Sequence, residues 1–164
     1  MITRRILFAA TLLLMIAGGA SFAAAQEEDG DKETPRSVEW LTYRQALNKG
    51  RDEKKPVLIH FTADWCKWCE KMKKETYTDP AVIRYMAEHM SVTMVDTEDV
   101  PSLARKYNVS SLPTLWFLDA EGQPLTAVPG YLGPEKLLRI MEYISTKAYE
   151  TVSYDKWRRH QDKN

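Results

Sequence analysis

Phe61-Thr62-Ala63-Asp64-Trp65-Cys66-Lys67-Trp68-Cys69 carries the only two cysteines of this 164-residue chain, two residues apart. The stretch continues from Val57-Leu58-Ile59-His60, a short run behind Pro56 whose length and β-branched content predict a buried central strand. Trp68 to Tyr77 is rich in Lys, Glu and Met, which predicts a helix. Cys66 therefore stands where a strand ends and a helix begins. Unpaired backbone N–H groups and the positive end of the helix dipole favour a thiolate there. Two thiols at this spacing can close and reopen a bridge, which makes a reversible two-electron switch. As a staple the same bridge closes a very small loop and removes little unfolded-state entropy, so the spacing favours chemistry over stapling.

Outward from the motif, strand and helix patterns alternate. Upstream, Trp40, Leu41, Tyr43, Ala46 and Leu47 recur at helical spacing, and Lys49-Gly50 is expected to end that helix. Downstream, Asp79-Pro80 opens a helix over 81–89, and Val92 to Val95 follows as a strand. Pro101 to Tyr107 reads as a short helix with proline in its first turn. Thr114 to Leu118 and Leu125 to Val128 form a hairpin through Asp119-Ala120-Glu121-Gly122. Leu137, Leu138, Ile140, Met141 and Ile144 mark an amphipathic helix, and Tyr154 to His160 a short final one. This order predicts an α/β domain: a mixed central sheet covered by helices on both faces, with a C-terminal helical extension.

The ends obey different rules. Arg4-Arg5, an apolar run from Ile6 to Ala17 and Ala23-Ala24-Ala25 have the three-part pattern of a secretory signal. Residues 1–25 are therefore expected to be removed after Ala25, with export to the periplasm or another extracytoplasmic space. The apolar run is shorter than the roughly 20 residues that span a bilayer. Residues 26–37 are polar and acidic and read as a disordered lead-in. The domain proper is placed at 38–147 and the extension at 148–164. With 44% apolar and 28% charged residues, a net charge of zero and no long block of like charge, nucleic acid is not an expected partner.

With these elements placed, the chain resembles the thioredoxin family, nearest the exported branch that includes the C-terminal domain of the interchange protein DsbD. The resemblance rests on Phe61 to Cys69, on Thr76-Tyr77-Thr78-Asp79-Pro80-Ala81-Val82, on Leu112-Pro113-Thr114, and on Gly122 with Gly130-Tyr131-Leu132. It implies the thioredoxin fold and thiol–disulfide oxidoreductase activity on protein disulfides. Two positions depart from the family. His60 stands six residues before Cys66, where thioredoxins usually carry a buried acid. Lys67-Trp68 replaces the Gly-Pro of thioredoxin and the Pro-His of DsbA.

The resemblance also distributes roles. Cys66 is expected to attack a substrate disulfide, and Cys69 to resolve the mixed disulfide. His60 or Asp64 is the candidate base for Cys69, with a core histidine as the plainer reading of His60. Pro113 is expected in the cis form, turning Leu112 towards the cysteines to pair with an extended substrate. Trp65, Lys67 and Trp68 would border the site, although Trp65 could equally be core. No cofactor and no metal site is expected, since half of a zinc site is absent. The expected partners are protein disulfide substrates and a membrane-embedded electron donor, with the chain a monomer. Cu(I) handling through the same thiols, oxidase or isomerase chemistry, and a redox-inert scaffold are the rival readings.

Overall fold

The computed structural model describes residues 35–163. The expected signal segment and lead-in residues 26–34 lie outside them. Pro35, Arg36 and Ser37 are exposed and belong to no helix or strand.

The elements run α1 (Tyr43–Glu53), β1 (Val57–Thr62), α2 (Lys67–Glu75), α3 (Pro80–His89), β2 (Ser91–Asp96), α4 (Pro101–Lys106), β3 (Thr114–Leu118), β4 (Pro124–Pro129), α5 (Pro134–Ser145) and α6 (Tyr154–Gln161), with one 3-10 turn at Ala148–Glu150. The strands form one sheet in the order β2-β1-β3-β4. β1 pairs parallel with β2 (Val57 with Ser91, Thr62 with Asp96) and antiparallel with β3 (Val57 with Leu118, Phe61 with Thr114). β3 and β4 are the predicted hairpin, with a register shift between Phe117 and Leu118.

All six side chains of β1 are buried, as a strand covered on both faces requires. Leu58 joins Leu115, Phe117, Met72 of α2, Val82 and Met86 of α3, and Leu137, Ile140, Met141 and Ile144 of α5 in one cluster. Val57, Ile59 and Phe61 face the other way, against Ala46 of α1, Tyr107 and Leu118. Each fully buried Leu, Ile or Phe contributes about 1.5–3 kcal/mol, so the two layers clamp β1 and fix where its C-terminal end emerges.

Local signals set the helix starts. Thr42 and Gln45 form a capping box at α1. Asp79 accepts from the N–H groups of Ala81 (2.9 Å) and Val82 (3.1 Å), with Pro80 first in α3.

The first helix departs from its sequence pattern at both ends. Trp40 and Leu41 lie outside it; Leu41 bridges Thr93 of β2, its N–H donating to the Val92 carbonyl at 3.1 Å. Gly50 does not end the helix, which runs on until Lys54 turns left-handed at φ 55°. A Cβ on Gly50 would stand 2.6 Å from Val57 Cγ2 and 3.0 Å from the Lys55 carbonyl oxygen. That glycine permits close approach of α1 to β1 rather than a stop.

At the other end, Lys147 turns left-handed (φ 56°) and sends the chain back over α5. Trp157 packs on Tyr143 with ring centroids 5.6 Å apart, and the Tyr143 hydroxyl donates to the Val152 carbonyl at 2.6 Å. Arg139 of α5 pairs with both Glu135 and Asp162. The extension is thus docked on the domain by aromatic packing and charge.

Candidate active site

Cys66 and Cys69 are joined in a disulfide, their Cα atoms 5.2 Å apart. Cys66 is the N-cap of α2. Its sulfur accepts from the Cys69 N–H at 3.2 Å, and its own N–H donates to the Ala63 carbonyl at 3.0 Å. The sulfur therefore occupies the place where a helix offers unpaired donors and the positive end of its dipole. Cys69 has no exposed surface, whereas Cys66 retains 4%. An incoming nucleophile or substrate meets Cys66 first.

Two indoles frame this recess. Trp65 is 66% exposed and Trp68 56%, so Trp65 belongs to the surface and the core alternative fails. The Trp65 indole N–H donates to the Glu98 carboxylate at 3.3 Å. Trp68 lies against Tyr131 (centroids 5.7 Å apart), and the Lys71 ammonium sits over both rings at 5.4 and 4.9 Å. The Tyr131 hydroxyl donates to Glu75 at 2.8 Å. Lys67, the first residue of α2, and Asp64 are both exposed.

The Leu112–Pro113 peptide bond is cis. Pro113 is buried and Leu112 half-buried against the cluster on the α1 side. The Pro113 carbonyl accepts from the Gly130 N–H at 2.7 Å, which ties the loop after β4 to the loop before β3. Gly130 needs its φ of 92°, a conformation that residues with a Cβ rarely adopt. This tie carries Tyr131 to the side of Trp68.

His60 is fully buried, on the face of β1 shared with Leu58. Its ring neighbours are Tyr77 at 5.3 Å and Trp40 at 6.3 Å between centroids. Neither ring nitrogen has a hydrogen-bond partner, and the Tyr77 and Thr62 hydroxyls are also unpartnered. Burial, with the nearby Lys73 charge, pushes the imidazole down to about 3, so it is neutral at physiological pH. Burial pushes the Tyr77 phenol upward for the same reason.

The structure thus gathers Trp65, Cys66, Lys67, Trp68 and Cys69 at one end of β1 and buries His60 two residues below the end of that strand. Glu98 and Lys71 join the border without having been singled out in the sequence, and Tyr131, quoted there only within a family motif, joins it as well. Lys71 was accessible to helix periodicity, lying three residues after Trp68 and four before Glu75. Glu98 and Tyr131 are 33 and 56 residues from Trp65 and Glu75, their hydrogen-bond partners, and only the fold brings them in. Among the described residues, no group of three or more His, Cys, Asp or Glu could hold a metal ion, and no helix is long and apolar enough to cross a membrane.

Residues 43–145 match the family description of a thioredoxin-like domain. The chain is 34% identical over 116 residues to the thiol:disulfide interchange protein DsbD of Vibrio vulnificus, covering 67% of this chain and 19% of that protein. With DsbD of Escherichia coli K12 it shares 38% identity over 87 residues, which is 49% of this chain and 15% of the relative. It therefore spans less than a fifth of these curated relatives. Among solved structures, a DsbH oxidoreductase superposes with a TM-score of 0.58 at 25% identity, over 66% of this chain and 85% of that one. A thioredoxin from Thermus thermophilus gives 0.60 at 24% identity, over 66% and 87%, and shares the fold.

Proposed function

The chain belongs to the thioredoxin-like family and is a thiol–disulfide oxidoreductase of that kind; from this premise we propose that it reduces protein disulfides outside the cytosol. The observation that carries the reading is the position of Cys66, the N-cap of α2 and the more exposed partner of a disulfide with a fully buried Cys69.

The cycle starts from the dithiol. The Cys66 thiolate, held by the Cys69 N–H and the helix N-terminus, attacks one sulfur of a client disulfide. The client's other sulfur leaves as a thiolate and takes a proton. Cys69 then loses its proton and attacks Cys66. The second client thiol is released, and the Cys66–Cys69 disulfide remains. Two electrons have moved from the protein to the client.

Of the two candidate bases, Asp64 is the exposed carboxylate two residues before Cys66, and we assign it the proton of Cys69. His60 is buried and neutral, and neither ring nitrogen has a hydrogen-bond partner through which that proton could pass. Leu112, beside Pro113, offers its backbone to an extended client, strand to strand. The chain works as a monomer and is re-reduced by a membrane-embedded donor. The similarity to DsbD supports the reducing direction, and the basic, apolar and small-residue order of residues 1–25 supports export to the periplasm.

The test uses two variants and an insulin-type disulfide substrate. Cys66→Ser should abolish turnover and form no mixed disulfide. Cys69→Ser should accumulate client bound covalently through Cys66. Equal inactivity with no trapped client in either variant overturns the order of attack. A Cys66–Cys69 pair found oxidised in cells with an intact export pathway overturns the reducing direction.

A further inference from the structure

Three large apolar side chains are exposed among the described residues: Trp65, Trp68 and Val100. All three lie at the end where β1 and β2 finish. Trp65 and Trp68 frame the disulfide, and Val100 closes the loop after β2, whose last residue Asp96 is in register with Thr62. Thr97 N–H donates to the Thr62 carbonyl at 2.9 Å, so that loop is tied to the end of β1. Among the described residues, the large exposed apolar side chains therefore lie at the end of the sheet that carries the reactive sulfur.

Charge on this face is sorted by side. Asp64 precedes Trp65 in the chain, Glu98 accepts from its indole and Asp99 follows Glu98; all three carboxylates are exposed. Lys67, Lys71 and Lys74 lie on one stripe of α2 beside Trp68, at positions i, i+4 and i+7; Glu70 shares that face but is paired with Lys73 at 2.8 Å, so the stripe stays net positive. Lys71 is engaged with Glu75 at 3.8 Å. Among the described residues, no ion pair engages Asp64, Glu98, Asp99, Lys67 or Lys74. Both indoles are fixed to their own side, Trp65 by Glu98 and Trp68 by Lys71 and Tyr131. An acidic half and a basic half thus meet along an apolar line through the disulfide.

We infer that this face docks an extended protein segment whose reactive cysteine lies between a basic flank and an acidic flank, the basic one over Asp64, Glu98 and Asp99 and the acidic one over Lys67 and Lys74. The inference rests on the oxidoreductase reading and names its substrate class. A uniformly acidic or uniformly basic segment satisfies one half and is repelled by the other.

The test is a peptide series offered to the full chain in its dithiol form. Each peptide carries one cysteine in a mixed disulfide with a small chromogenic thiol. Flanks are basic–Cys–acidic, acidic–Cys–basic, all acidic, all basic, or neutral. One of the two mixed orders should exceed the neutral peptide about tenfold in kcat/KM at low salt, the scale of two exposed charge pairs. That gain should fall below about twofold near 1 M salt, where the screening length is about 3 Å. The double variant Lys67→Glu with Asp99→Lys leaves a net single negative charge on the acidic half and none on the lysine half, and should cut the preference between the two mixed orders to below about threefold. Mixed peptides within twofold of neutral, or a uniformly charged peptide as the best substrate, overturn the inference while leaving the oxidoreductase reading intact. Failure to reduce any peptide, the neutral one included, overturns both.

Discussion

His60 offers the sharpest physical test, because its consequence is for stability and is independent of any substrate. The imidazole is fully buried with both nitrogens unpartnered, and its pKa is pushed from 6.5 to about 3 by burial and Lys73. The sign follows from proton binding. Below pH 6.5 the unfolded chain binds a proton at this residue and the folded chain does not, so stability falls as pH falls. It is complete above the unfolded value and drains away down to the folded one. One pKa unit is worth about 1.4 kcal/mol, so the shift corresponds to about 5 kcal/mol across the whole window and about 2 kcal/mol between pH 7.5 and pH 5. His60→Leu keeps an apolar filling and abolishes the titration. Urea unfolding of both proteins at pH 7.5 and 5 isolates the effect, since carboxylates titrate in both. The wild type should lose about 2 kcal/mol more than the variant. Parallel losses in the two proteins would refute a neutral, desolvated His60.

Two further substitutions probe the packing that holds the site. Gly50→Ala forces a methyl group to within 2.6 Å of Val57 Cγ2, at the start of β1, and should cost about 1–3 kcal/mol by chemical denaturation despite the better helix propensity of alanine; a stabilised variant would show that α1 slides freely. Trp157→Ala removes the residue that docks α6 on Tyr143 and should cost about 3 kcal/mol, with hydrogen exchange accelerating in the extension before the sheet; an unchanged midpoint would mean that the extension is not part of the cooperative unit.

Much of the molecule was legible because its signals are local. β1 shows as a short, mostly apolar run interrupted by His60, α3 carries Asp79-Pro80 at its start, and the β3–β4 hairpin carries Gly122 at φ 84° in its turn. The first helix was misjudged because Leu41 is apolar for a sheet-edge contact and Trp40 for packing on Tyr77 and His60, and Gly50 is small for a helix–strand contact. Both needs belong to tertiary structure and leave no periodic trace. The same divide runs through the site. Cys66, Cys69, Trp65 and Trp68 sit within five consecutive residues, so spacing reveals them. Glu98 and Tyr131 arrive from other loops, through hydrogen bonds that only the folded chain can make. The isolation of His60 is likewise invisible in the sequence, which gives its strand but not the absence of a hydrogen-bond partner for either ring nitrogen.

The groups around Cys66 also constrain the redox poise, and they do so against the proposed direction. A helix N-terminus, the Cys69 N–H and Lys67 all favour the thiolate, hence the reduced protein. A carboxylate beneath the helix would oppose them, and neutral His60 does not. Stabilising the dithiol makes a couple more oxidising, by about 30 mV for each 1.4 kcal/mol. The equilibrium potential of the Cys66–Cys69 pair against glutathione should therefore lie above the value of about −270 mV typical of thioredoxin. Reduction of clients under that poise depends on a donor that keeps the pair reduced, so direction is imposed by electron supply rather than by the couple itself. Removing the donor should leave the pair oxidised in the cell while the purified potential stays the same. A potential at or below about −270 mV would break this argument, because the neutral histidine would then have no effect on the poise of the sulfur above it.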